Sequence, residues 1–127
     1  MRLPLSLPKL QKKADRLFQR KRVLEEMDDH GYGHCITCGV GKHHSNLDGG
    51  HFIGKGLTGN LAVRYEKNNV WPQCEKCNRF QSGNHSVYRD NLIKIVGVEE
   101  VERLEKKKYE TVILARSLYE RIIQECK

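Results

Sequence analysis

Two short cysteine pairs constrain this chain more than any other feature. Cys35-Ile36-Thr37-Cys38 and Cys74-Glu75-Lys76-Cys77 are both C-x2-C, with 35 residues between them. Zinc takes four soft ligands in a tetrahedron, and two such knuckles from separate segments can supply them. A redox C-x-x-C would sit at the start of a helix after a strand, and one pair would be enough. Structural zinc, one ion per chain, is therefore the expected use of Cys35, Cys38, Cys74 and Cys77. A chain of 127 residues, 38 % hydrophobic and 31 % charged, has only a modest core and gains from such a staple. The separation is too long for a compact finger, so the intervening segment must form something of its own. The fifth cysteine, Cys126, falls on the apolar stripe of the last predicted helix and reads as a small buried or half-buried hydrophobe.

Reduced thiols imply a reducing compartment. Met1 to Pro8 lacks the long apolar stretch of a signal peptide, and no run of about 18 apolar residues occurs. The expectation is an intracellular, cytoplasmic protein with no membrane partner. The formal charge of +7 is unevenly placed. Residues 1–24 carry eight Lys/Arg against Asp15 alone, residues 25–30 sum to −4, residues 31–97 to +4, and residues 98–127 to zero. A basic arm beside a basic middle suits a polyanion, most simply nucleic acid, or else is a solvated helix face.

Apolar residues Leu10, Ala14, Leu17, Phe18 and Leu24 recur near helical spacing and predict an amphipathic helix from Pro8 to Met27. Lys9, Lys12, Lys13, Arg16 and Arg20 supply its basic character. Cys35 to Gly59 is rich in Gly, His and Asn and predicts loops with a small hairpin. "VRYEKNNVW" reads as short extended pieces. Helices are expected from Cys74 to before Gly83, from His85 to Val96 with Gly97 at its end, and through "VEEVERLEKKKYETVIL". Ser117 with Glu120 forms a capping box for a last helix. The whole reads as one domain, 1–127: a basic helix over 8–30, a core over 33–83 and C-terminal helices over 84–127.

The segment between the knuckles holds residues suited to phosphodiester hydrolysis. That reaction needs a base for water, a hard cation for the phosphate and leaving oxygens, and cationic groups for the backbone. His51 is a candidate base, flanked by glycines that would let a substrate backbone approach. Asn78 directly follows the last zinc cysteine, so the metal would fix it in place. Asp48 is a nearby hard oxygen ligand. Each alone has a bland reading: an exposed histidine, a helix-capping asparagine, a surface acid.

Together, "GYGHCITCG", "GHFI", "RYEKNNVWPQCEKCNRFQSGN" and the following Tyr88 resemble the zinc-containing HNH, or ββα-metal, nucleases. They are particularly similar to phage junction-resolving nucleases of the endonuclease VII kind. The longer resemblance, including "LPKLQKKADRLFQRKRVL" and "YETVILARSLYERII", is to the NinG (Rap) family of phage recombination proteins and covers nearly the whole chain. It implies an α+β fold with a small zinc-stapled ββα-metal core between N- and C-terminal helices. It also implies a DNA endonuclease that cuts Holliday junctions and D-loops inside a bacterial host.

By position, His51 would be the general base, Asn69 the asparagine that orients its loop, and Asn78 a ligand of a catalytic Mg²⁺ or Mn²⁺. The resemblance departs at Gly50, where an acid usually precedes the base. Either Asp48 reaches the ion through a bulge in "LDGG", or the ion has fewer protein ligands or takes His51 itself. Arg64 is a candidate phosphate clamp, or a surface partner of Glu66. Lys55, Arg79 and His85 are candidate phosphate contacts. Trp71 reads as a core plug, His34 as exposed, and His43 and His44 as spare imidazoles. A resolvase that cuts two strands symmetrically would be a homodimer. The competing classes are a zinc-stapled DNA-binding module without catalysis and an HNH nuclease acting on ordinary DNA.

Overall fold

Ser6 caps the first helix. Its backbone is extended (φ −65°, ψ 158°), and its hydroxyl accepts from the Lys9 amide. Proline fits the first turn that follows, where no amide partner is required. Helix α1 runs Leu7–Glu25. The structure is a computed structural model and describes residues 4–54, 60–80 and 85–127. Lys55 and the segment around Gly83 lie outside the described residues.

After α1 come two antiparallel hairpins. Strand β1 (Tyr32–His34) pairs with β2 (Gly41–His43), and β3 (Leu47–His51) pairs with β4 (Val70–Cys74). Between β3 and β4 lie a one-turn helix α2 (Leu61–Arg64) and a 3-10 turn, Lys67–Asn69. "VRYEKNNVW" is therefore only partly extended. Cys74 closes β4 instead of opening a helix. The helical piece after it is a π-turn over Lys76–Phe80. Helices α3 (His85–Val96) and α4 (Val98–Lys107) follow, joined at Gly97, whose φ of +91° favours glycine.

"VEEVERLEKKKYETVIL" is not one helix. It ends at Lys107, and the run Thr111, Val112 and Ile113 is non-helical, as suits β-branched residues. Helix α5 then spans Ala115–Glu125, starting before Ser117. The expected Ser117 cap is thus inside the helix, and Glu120 pairs with Arg116. The result is an α+β chain with two small two-stranded sheets. Among the described residues no helix is long and apolar enough to cross a membrane.

Among the described residues, three apolar clusters hold these elements. Phe52, Ile53, Val63 and Trp71 pack on Tyr88 and Leu92 of α3 and on Val101 and Leu104 of α4. Leu10, Ala14 and Phe18 of α1 pack on Val70 and on Tyr119, Ile122 and Ile123 of α5, with Cys126 half-buried at the edge. The third cluster joins Val23 and Leu47 to Cys35, Cys74 and Cys77. Trp71 is the core plug its sequence context suggests, 8 % exposed with its N–H donated to the Asn68 carbonyl.

One cation of α1 never reaches solvent. Arg22 is 1 % exposed; its Nε donates to the carbonyls of Lys67 and Val70, and its plane covers Trp71 at 4.8 Å. It also pairs with Glu25 and Glu26 on its own helix. Arg22→Ala would strand two carbonyls and uncover the indole. Thermal or urea unfolding should show a loss of about 3 kcal/mol. Arg22→Lys should recover little of it, because an ammonium cannot reproduce the flat fork.

Candidate functional site

The first knuckle is the turn that follows β1. Gly39, at φ +78°, lets the chain fold back so that its amide reaches the Cys35 carbonyl. The amides of Thr37 and Cys38 point at Cys35 Sγ, 3.4 and 3.5 Å away. The second knuckle runs from the end of β4 into the π-turn. The two meet: all four sulfurs lie within 4.8 Å of one another, and Cys38 and Cys74 Sγ are 3.7 Å apart. A tetrahedron of zinc–sulfur bonds of about 2.3 Å sets sulfurs roughly 3.8 Å apart, so the four residues fit such an ion.

The electrostatics agree with this fit. Burial opposes ionisation of Cys35, but amide hydrogen bonds outweigh it and bring the thiol down to about 7. Burial and the neighbouring thiols push Cys77 up instead. Cys35 ionises readily, and a cation would be needed to keep Cys38 and Cys77 as thiolates. His43 and His44 stand apart from the sulfurs, their rings against each other at 4.0 Å.

Asn78 is the residue after Cys77, inside the π-turn, a geometry that recurs at functional sites. Its Nδ2 donates to Asp48 Oδ2 at 3.3 Å. No bulge is needed for this meeting. The register of β3 on β4 is unbroken from Leu47↔Cys74 to His51↔Val70. The two glycines between Asp48 and His51 do not make room for a substrate, as the sequence suggested. A Cβ at Gly49 would lie 2.8 Å from Cβ of Gln19 and 2.9 Å from its Cα, because α1 crosses the strand there. A Cβ at Gly50 would lie 2.0 Å from Oε1 of the fully buried Gln73.

Gln73 in turn donates to Thr37 Oγ1 at 2.9 Å, inside the first knuckle. The acid missing at position 50 is thus excluded by packing. Gly50→Asp should cost about 2 kcal/mol in thermal unfolding, and the double change with Gln73→Ala should recover part of it.

Asp48 and Asn78 open onto a cavity of about 530 Å³. One wall is Asp48, Gly49, Asn78 and Arg79; the other is α1, through Lys12, Asp15, Arg16, Gln19 and Arg20. Lys12, Arg16 and Arg20 follow one another at four-residue steps, about 6 Å of helix each. Of the other predicted DNA contacts, Lys9 is exposed and Lys13 half-buried, and neither lines this groove. Arg79 is exposed beside Glu75, and His85 stacks on Phe52 at 4.7 Å.

His51 lies off the groove's described lining. Side chains alternate along β3, so Asp48 and His51 leave opposite faces of the strand. His51 Nε2 is 3.0 Å from the Arg64 carbonyl. A carbonyl only accepts, so Nε2 is the donor. Asn69 is fully buried. Its Oδ1 accepts from the Ile53 amide, and its Nδ2 donates to the carbonyls of Ile53 and Val63. It therefore ties the segment just after His51 to α2.

Arg64 is buried, and its partner is Asp15, where the sequence offered Glu66. Its Nε and Nη2 bond the two carboxylate oxygens at 2.9 and 2.6 Å, and the Tyr65 hydroxyl donates to the same carboxylate at 2.8 Å. Burial works against the charge of Arg64, and Asp15 more than restores it, so its pKa is raised. Glu66 pairs with Arg103 and Lys107 of α4. Asp15 and Gln73 escaped the sequence reading. The available signal for Asp15 was its isolation, a lone acid beside the apolar stripe of a basic helix.

Comparison with known proteins adds a lineage. A family profile described as "Bacteriophage Lambda NinG protein" matches residues 6–127. Proteins named "Protein ninG" from Escherichia phage 933W and Salmonella phage P22 are 35 % and 34 % identical over 71 residues. The same name belongs to an Escherichia phage lambda protein, 35 % identical over 71 residues. These stretches cover 56 % of this chain and about a third of each relative (34 %, 34 % and 33 %). No solved structure matches.

Proposed function

The chain belongs to the NinG family of bacteriophage proteins, and on that premise we propose that it is a metal-dependent DNA endonuclease. Its targets in this reading are branched recombination intermediates such as Holliday junctions and D-loops. The observation that carries the reading is the meeting of Asp48 and Asn78 on one wall of a groove whose opposite wall is basic. A carboxylate and an amide oxygen are hard donors, suited to Mg²⁺ or Mn²⁺. The order β3, β4, then a short helical turn carrying Asn78 supports reading this segment as a ββα-metal core.

Each residue has a part in this reading. Cys35, Cys38, Cys74 and Cys77 hold structural zinc and so fix where Asn78 begins. Asp48 and Asn78 would hold the second cation, which would supply charge neutralisation at the phosphate and leaving oxygen. His51 takes the proton of the attacking water. In the neutral ring its lone pair is on Nδ1, because Nε2 is committed to Arg64. Asn69 steadies the segment after His51. Lys12, Arg16, Arg20 and Arg79 bind backbone phosphates without reading sequence, so recognition rests on DNA shape and affinity falls steeply with salt.

The test uses a four-way junction and a linear duplex, each with Mg²⁺ or EDTA, beside His51→Ala. Junction cleavage should require Mg²⁺ and fall at least about a hundredfold in the variant. Junction binding without cleavage would replace this reading by a DNA-binding module. Equal cutting of the duplex would make it a nuclease for ordinary DNA. Cleavage unchanged in His51→Ala would remove the histidine from its role.

A further inference from the structure

The ion pair between Asp15 and Arg64 joins the basic helix to α2, the helix whose last carbonyl meets His51, and its geometry implies a role for α1 beyond DNA affinity. Helix α2 has only four residues. A single turn has no stability of its own in water, so tertiary anchors fix where its carbonyls point. Beside the burial of Val63 in the core, two polar anchors act on it among the described residues. Asn69 holds the Val63 carbonyl. Asp15 grips the Arg64 side chain with both oxygens and takes the Tyr65 hydroxyl as well. The next carbonyl along, that of Arg64, is the one that receives His51 Nε2. The Asp15 and Arg64 side chains are 12 % and 6 % exposed, so solvent hardly competes for the pair.

We propose that Asp15 is a positioning residue for His51. Its carboxylate locks Arg64, the locked residue aims its carbonyl, and the carbonyl fixes the orientation and tautomer of the imidazole. Arg64 is then a brace rather than a free phosphate clamp. This inference rests on the reading of His51 as the base, and its test separates the two.

The primary variant is Asp15→Asn in the full chain, which keeps shape and removes charge. Two readouts are needed. Junction cleavage with Mg²⁺ should fall about tenfold to a hundredfold at saturating DNA, while junction affinity stays within about threefold. Nitrogen NMR of the His51 ring should show the Nε2-protonated tautomer in the native chain and a tautomer-averaged ring in the variant. Tyr65→Phe, which loses one hydrogen bond and keeps the ring packed, should shift both readouts in the same direction by less. If Asp15→Asn does not fold, Asp15→Leu with Arg64→Met removes both buried charges together, the change such pairs tolerate best, and the same ring spectrum is read.

A folded variant whose His51 spectrum matches the native one overturns the proposal, as does a loss of DNA affinity with the turnover rate intact. A native chain that cuts nothing, but whose His51 ring is released by Asp15→Asn, would sink the nuclease reading and leave the brace standing.

Discussion

Cys74→Ser is expected to abolish metal binding and lower the stability of the chain by at least about 4 kcal/mol, enough to unfold a small domain. Serine keeps the size of the side chain but offers a hard hydroxyl that does not ionise where a thiol does, so the tetrahedron loses a ligand. The loss spreads because the third apolar cluster is built largely of sulfur. Cys35, Cys74 and Cys77 are each buried there beside Val23 and Leu47. Without a cation these thiols are neighbours with no common charge to organise them, and the β1–β2 turn is tied to β4 by hydrogen bonds such as Gln73 to Thr37 without the metal. Bound zinc measured by atomic spectroscopy and melting curves with and without chelator check this. Native melting with native zinc content would refute the staple. Cys126→Ser should cost less than about 1 kcal/mol, because that cysteine is half-buried and stands outside the cluster.

Asn78→Ala and Asp48→Ala should each reduce junction cleavage by about a hundredfold to a thousandfold while leaving the melting temperature nearly unchanged. Both residues are half-buried at the groove, and their mutual hydrogen bond of 3.3 Å contributes little to folding. The double variant should be scarcely worse than either single one, since two ligands of one ion act as a unit. Quantified cleavage across a Mg²⁺ titration is the measurement. Strictly additive losses, or activity restored by Mg²⁺ in neither single variant yet retained in the double, would break the assignment of both to one ion.

The sequence disclosed what is local and chemical. The cysteine spacing, the helical stripe of α1, Gly97 and the nearness of Asn78 to Cys77 could all be read along the chain. It did not disclose what depends on two segments meeting. Gln73 looked like a filler between Pro72 and Cys74, yet its side chain occupies the space an acid at position 50 would need. Gly49 looked like a loop residue and is the crossing point of α1 over β3. Arg64 pointed to Glu66 by proximity in sequence, and the fold gave it Asp15, 49 residues away. The Ser117 cap failed because the non-helical run before it ends at Leu114, so α5 begins at Ala115, earlier than the capping pattern suggested.

The crossing at Gly49 bears on how freely this site can be moved between proteins. Residues 32–83 contain both knuckles, both hairpins and every proposed metal ligand, so they look like a cassette that could be excised and grafted elsewhere. Yet helix α1 supplies the opposite bank of the groove, the arginine that seals the Trp71 face and the acid that braces Arg64. The transplantable unit is therefore longer than the motif that identifies it, and it begins at Ser6.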